Sequence, residues 1–230
     1  MKNDILEKIR FGLIVSCQAR VGWAMYGPEI MTAFATAAKE GGAVGIRATG
    51  VDNILSIKKA VDLPLIGINK QFVDGYDVYI TPTYESAAEI IEAGSDIVAL
   101  DATSRIRPGG ENIRDIVAKI RTNYPKTLIM GEISTLEEAI NIKDLNFDLI
   151  STTLSGYTHA SRSITSVNLD LIRDIRTNIS IPVIAEGKIK NEQEARLALE
   201  SGAFAVVVGT SITRPEIITA RYVEEVKKFK

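Results

Sequence analysis

The amino-acid sequence predicts an α/β fold, a (β/α)8 TIM barrel, and three observations predict it. Short continuous apolar runs recur along the chain, as strands of a parallel sheet buried on both faces do. Helical segments separate these runs in regular alternation. Fragments also repeat: KEGGAVGIRA, EAGSDIVALD and ESGAFAVVVG each pass from a helix end through a glycine cap into a strand. With 230 residues, 1–230 reads as a single barrel domain; such barrels typically take about 250 residues.

Taken in order, MKNDILEKIR (1–10) is amphipathic and charged, a short N-terminal helix with none of the apolar stretch of a secretory signal. Eight strands are expected at LIVSC (13–17), AVGIR (43–47), PLIGI (64–68), DIVAL (96–100), TLIMG (127–131), FDLIST (147–152), IPVIA (181–185) and AFAVVVG (203–209). A ninth run, VYITPT (78–83), contains Pro82 and is assigned to the connection after the third strand. Pro28 opens a helix over EIMTAFATAAKE that ends at Gly41 and Gly42. Asn191 and Glu194 have capping-box spacing ahead of ARLALES, and Ser134 with Glu137 repeat it. A doubly wound open sheet is the alternative. Eight strands, and no G-x-G-x-x-G after the first, favour the barrel.

Composition excludes several classes of function. Net charge is −2, and no basic run interleaved with aromatics marks a nucleic-acid or membrane surface. No stretch reaches the ~18 apolar residues of a membrane span. One cysteine, Cys17, and one histidine, His159, are too few for the common soft-ligand metal sites, so no metal is expected. The expectation is a soluble cytoplasmic protein with neither nucleic acid nor membrane as partner.

In such barrels the carboxyl ends of the strands form the active face. The polar residues at or just past those ends are Gln18, Arg47, Lys70, Asp101, Glu132, Thr152 with Thr153, Glu186, and the Gly209-Thr210-Ser211 turn. Turns Gly187-Lys188 and Gly209-Thr210 follow strands seven and eight, where many barrels bind phosphate. Glycine lets backbone N–H groups approach an anion, a helix start adds its dipole, and Arg214 lies just beyond. A turn glycine alone would mean little; two at these strands favour phosphate. Lys70, ending a buried strand, can lose its proton near neutral pH, and burial raises the pKa of Glu186 toward that of a general acid. Asp101 and Arg47 read equally as site residues or as an ion pair across the barrel mouth. Cys17 reads as core and His159 as solvent-exposed; Trp23 and Tyr26 suggest a lid or simply a loop anchor.

The motifs LIVSCQA (13–19), EGGAVGIRA (40–48), PLIGINK (64–70), ITPT (80–83), IVALDAT (97–103), TTLSGYT (152–158), VIAEG (183–187) and VGTSITRP (208–215) resemble the N-acylglucosamine-6-phosphate 2-epimerases. The resemblance implies a cofactor-free barrel of the ribulose-phosphate-binding kind. It implies interconversion of N-acetylmannosamine 6-phosphate and N-acetylglucosamine 6-phosphate in sialic acid catabolism. It makes Lys70 and Glu186 the catalytic pair and Gln18, Arg47, Asp101, Glu132 and Thr153 substrate contacts. Gly187, Lys188, Gly209, Thr210 and Arg214 would take the phosphate. The partner is then a small phosphorylated amino sugar, with a homodimer left open. This chain departs from the family pattern at RVGWAMYGPE (20–29), at MGEI where MADI is usual, at KQFV for K-R-D-Y, and at LSGYT for L-H-G-Y-T. Two other functions stay open: a Schiff-base aldolase or lyase acting on a phosphorylated sugar, and a non-catalytic phosphosugar sensor.

Overall fold

The computed structural model describes residues 2–229. Among them, eight parallel strands close into a barrel in chain order. They are β1 (Leu13–Cys17), β2 (Gly45–Thr49), β3 (Leu65–Ile68), β4 (Ile97–Asp101), β5 (Leu128–Glu132), β6 (Leu149–Ser151), β7 (Val183–Glu186) and β8 (Ala205–Val208). β8 pairs with β1 through Leu13–Val206, Ile14–Val207 and Val15–Val208, so the sheet has no edge and the open-sheet alternative is excluded.

Side chains alternate across a strand, and that parity sorts the core into two layers. Ile14, Ile66, Ile68, Ile97, Ala99, Leu128, Met130, Leu149, Ile184, Ala205 and Val207 face the barrel axis and form one buried cluster. The opposite parity, including Val15, Ile46, Val98, Ile129, Val183 and Val206, packs against the surrounding helices. The helices are α1 (Lys2–Ile9), α2 (Pro28–Glu40), α3 (Val51–Ala60), α4 (Tyr84–Glu92), α5 (Ile113–Asn123), α6 (Leu136–Ile142), α7 (Leu169–Asn178), α8 (Glu192–Glu200), α9 (Thr210–Thr213) and α10 (Pro215–Lys227). Ile9 of α1 is fully buried in the axial cluster, with Ile5 and Leu6 behind it. The N-terminal helix therefore caps the end of the barrel opposite the strand carboxyl ends. Among the described residues, no helix is long and apolar enough to cross a membrane.

Local signals explain the boundaries. Pro28 is the first residue of α2, as expected. At the other end Gly42 takes φ +92°, and Ala43 N–H donates to Ala38 O at 2.9 Å, a left-handed helix stop that uses up Ala43. Strand β2 consequently begins at Gly45, two residues later than expected. Asn191 caps α8, accepting from Glu194 N–H at 2.9 Å. The α6 cap is Thr135 rather than Ser134. Glu138, not Glu137, closes the box, its Oε2 accepting from both Ser134 N–H (2.7 Å) and Thr135 N–H (3.1 Å). Residues 78–83 lie outside the barrel, in the connection after β3. There Ile80 bridges Lys70 in antiparallel fashion, making 69–81 a two-stranded ribbon.

Candidate active site

A cavity of about 470 Å³ opens at the carboxyl ends of the strands, well within the range of small-molecule sites. The parity that fills the barrel with isoleucine continues upward and changes chemistry: among the axial positions above the apolar layer, Ser16, Gln18, Arg47, Thr49, Lys70, Thr153 and Glu186 line the cavity. Arg47 is central in β2, not at its end, and so lies deeper than the sequence reading put it. Its guanidinium is 2% exposed and held between two carboxylates, Glu132 and Glu186, the latter with Nη1–Oε1 at 3.1 Å. Thr153 Oγ1 donates to Glu186 Oε2 at 3.0 Å, and Gln18 Nε2 donates to Ser16 Oγ at 2.6 Å. Arg47 Nε, Glu132 Oε2 and Gln18 Oε1 are buried without a hydrogen-bond partner among the described residues.

Lys70 and Glu186 extend from β3 and β7, four places apart in a ring of eight and therefore on opposite walls. Burial pushes the Lys70 ammonium down to about 8, with help from the Arg47 charge and against the pull of Glu132 and Glu186. Burial likewise pushes the Glu186 carboxyl up to about 7; Arg47 and the Thr153 hydrogen bond oppose this and Glu132 adds to it. Both groups thus titrate close to neutrality, as acid/base residues must.

The other end of the cavity is cationic. Lys188, Lys190, Arg214 and Arg221 line it together with Gly187, Gly209 and Thr210. Gly187 has φ +103°, and a Cβ there would meet Thr153 O at 3.2 Å, so the turn that brings its backbone to the cavity requires glycine. Lys188 Nζ lies 4.3 Å from the Tyr157 ring centroid. The expected helix dipoles contribute little here. The helix after Gly209 is only the four-residue α9, and α8 starts at Glu192, beyond the turn. Backbone at Gly187 and cationic side chains are what this end of the cavity presents instead.

Three expected residues do not line the cavity: Thr152, buried with its Oγ1 donating to Glu186 O at 3.0 Å, and the acids Glu132 and Asp101. Glu132 is fully buried beneath it as the partner of Arg47. Asp101 is also fully buried, and it does not pair with Arg47. It accepts from Arg105 Nη2 at 2.6 Å and from Thr103 Oγ1 at 2.7 Å, while Arg105 Nη1 donates to Asp77 O on the ribbon. His159 is exposed, in a short 3-10 turn. Cys17 is buried, its thiol pushed up to about 12 by burial. Trp23 lines the cavity; Tyr26 is half-exposed. Unforeseen lining residues include Ser16, Thr49, Arg20, Tyr79, Tyr157, Lys190 and Arg221. Stepping back by two from Gln18 would have found Ser16, and forward by two from Arg47, Thr49. No local signal marks Arg221, which reaches in from α10 and donates to Ser211 Oγ at 3.2 Å.

A closed parallel barrel with buried ionisable groups on opposite walls and a cationic rim defines the class: a (β/α)8-barrel enzyme with its site at the strand carboxyl ends. Residues 31–228 match the NanE family, described as "Putative N-acetylmannosamine-6-phosphate epimerase", and the chain belongs to that family. It is 50% identical over 228 residues to a "Putative N-acetylmannosamine-6-phosphate 2-epimerase" of Caldanaerobacter subterraneus, covering 99% of this chain and 96% of the relative. A Listeria monocytogenes protein of the same description is 45% identical, each chain covered fully. A solved structure of the N-acetylmannosamine-6-phosphate 2-epimerase from Clostridium perfringens superposes with a TM-score of 0.92 at 44% identity, covering 96% of this chain and 95% of that one.

Proposed function

We propose that this chain epimerises N-acetylmannosamine 6-phosphate and N-acetylglucosamine 6-phosphate at C2, in amino sugar and sialic acid catabolism. The observation that carries the reading is the pairing of Lys70 and Glu186 on opposite walls of one cavity whose other end is cationic. The C2 proton is acidic only when C1 is an aldehyde, so the reacting species is the open-chain sugar. Breaking the C2–H bond sends its electrons into the C1 carbonyl and leaves an enolate on O1. A proton then returns to C2 from the other face. Neutral Lys70 takes the proton and protonated Glu186 supplies one in one direction; charged Lys70 and ionised Glu186 exchange these roles in the other. The chemistry asks for no cofactor.

Arg47, with a free Nε beside the pair, and Gln18 are suited to the O1 charge, a contribution of about 10²–10³ in rate for one donor. Thr153 orients Glu186, and Glu132 orients Arg47. Gly187, Lys188, Gly209, Thr210 and Arg214 take the phosphate, whose binding fixes C2 between the two walls. Asp101 acts on the ribbon rather than on the substrate.

The test is to incubate the protein with N-acetylmannosamine 6-phosphate in D2O and follow C2 by NMR. Epimer formation with deuterium at C2 is expected; an unchanged sugar rejects the reading. Lys70 near neutrality would also suit a Schiff-base aldolase or lyase. Borohydride in the presence of sugar would then trap a Lys70 adduct, whereas proton transfer leaves none. A cytoplasmic homodimer is the proposed state. Tyr222, Val223 and Val226 on α10 are exposed, and no α10 residue is buried. Sedimentation should give twice the chain mass, and Val226→Glu the single chain.

A further inference from the structure

Five side chains from three loops form one continuous stack at the cavity. The Arg214 guanidinium carbon lies 3.7 Å from the Trp23 ring centroid. Arg20 bridges Trp23 and Phe72, at 5.5 Å and 4.8 Å from their centroids. Phe72 in turn stacks on Tyr79, centroids 5.0 Å apart and planes 16° from parallel. The stack therefore runs from the segment after β8, across the loop after β1, to the ribbon that begins at Lys70. Arg214, Trp23, Arg20 and Tyr79 line the cavity; Phe72 does not, and is 59% exposed.

Alternation of cation and ring is what makes the stack cohere. A guanidinium over an aromatic face is attracted by the ring quadrupole, and because it stacks through its face its in-plane N–H groups stay free to donate. Trp23 takes the face of Arg214, and Glu216 takes its Nε at 2.5 Å. Among the described residues its Nη nitrogens have no hydrogen-bond partner, and Arg214 lines the cationic end of the cavity.

We infer that Trp23 is a positioning residue: it holds the Arg214 guanidinium with its Nη edge toward the substrate phosphate, and through Arg20 and Phe72 it ties phosphate binding to the ribbon next to Lys70. This rests on the phosphosugar reading of the cavity. Trp23 touches no reacting atom, so its loss weakens phosphate binding and leaves the proton transfers in place.

Trp23 is the single tryptophan of the chain and reports on its own surroundings. Titrating inorganic phosphate into the full-length protein should change its fluorescence saturably. Trp23→Ala should raise the Kd for inorganic phosphate, measured by calorimetry, and the KM for the phosphosugar by the same factor of about ten. The value of kcat should fall less than about threefold and its pH profile should not move. Trp23→Phe, which keeps a ring face, should return both constants to within about threefold of wild type. Phe72→Ala, outside the cavity, should weaken phosphate binding about twofold to threefold.

Unchanged phosphate affinity in Trp23→Ala overturns the inference. So does loss of kcat and thermal stability at constant KM, or failure of Trp23→Phe to rescue. If the wild type does not epimerise the sugar yet phosphate perturbs Trp23 and Trp23→Ala binds phosphate weakly, the epimerase reading fails and the positioning role stands. If it epimerises and Trp23→Ala is indistinguishable from wild type, only the positioning role falls.

Discussion

An amine titrating at about 8 facing a carboxyl titrating at about 7 can exchange proton-donor and proton-acceptor roles at little cost. In the direction where Lys70 is the base, the active form needs neutral Lys70 and protonated Glu186. Below about 7, Glu186 is protonated and neutral Lys70 rises tenfold per pH unit; above about 8, Lys70 is neutral and protonated Glu186 falls tenfold per unit. In the opposite direction the two groups exchange protonation states, and the breaks are the same. The expected kcat/KM profile is a bell with limbs breaking near those two values in both directions, measured by initial rates; a flat profile contradicts the assignment. Glu132→Gln removes a charge that raises both groups, so both limbs should move to lower pH. Lys70→Ala should lower kcat by about 10²–10⁴ and abolish deuterium uptake at C2. Lys70 and Glu186 were legible because each is a charged residue closing an apolar strand. The clamp of Glu132 and Glu186 on Arg47 was not, since 85 residues separate Arg47 from Glu132 and only closure of the ring brings them together.

At the scale of elements, the ribbon 69–81 connects Lys70 to the rest of the mouth. It is fastened from β4: Asp101 N–H donates to Ile80 O at 3.1 Å, and the Asp101 carboxylate holds Arg105, whose Nη1 donates to Asp77 O at 3.2 Å. Arg105→Ala should loosen the ribbon without touching the cavity. Hydrogen exchange at Gln71 and Thr81 N–H should accelerate while β5 and β6 stay protected; unchanged exchange would show that the ribbon does not need this tie. Gly187→Ala should destabilise the fold by about 1–3 kcal/mol, because a side chain at φ +103° is strained and crowds Thr153 O. Chemical denaturation measures it. The alternation of strand and helix was readable throughout, since each apolar run is bounded by caps. Boundaries were readable only where one residue could serve as the cap. Ser134 and Thr135 are both cap formers, and the choice falls to Thr135 because Glu138 reaches both their N–H groups.

For the molecule as a whole, the half-buried ammonium of Lys70 is a cost in stability. Its folded value near 8 lies below the ordinary 10.5, so the unfolded chain binds more protons between those values and stability rises with pH across that window. Below about 8 the full penalty applies, at most about 3 kcal/mol for a shift of this size, less whatever solvent reaching the half-buried side chain screens. Lys70→Met should therefore raise the thermal midpoint at pH 7 by several degrees, a gain that shrinks as the pH approaches 10, while activity is lost. Calorimetry at the two pH values checks the sign; a destabilised variant at pH 7 would mean that Lys70 holds the mouth together. The closed barrel itself was legible from its repeated unit. The stacking of Arg214, Trp23, Arg20, Phe72 and Tyr79 was not, because it joins three loops whose sequences carry no common period.

The plug made by Ile9, with Ile5 and Leu6 behind it, leaves the barrel with a single door. Whatever enters must leave by the way it came, past Lys190 and Arg221 on the threshold. A sugar whose anionic tail is held at that threshold goes in head first and backs out the same way, and the two epimers compete for one passage. The net direction of flux is then set by how the ratio of the two epimers outside compares with its equilibrium value.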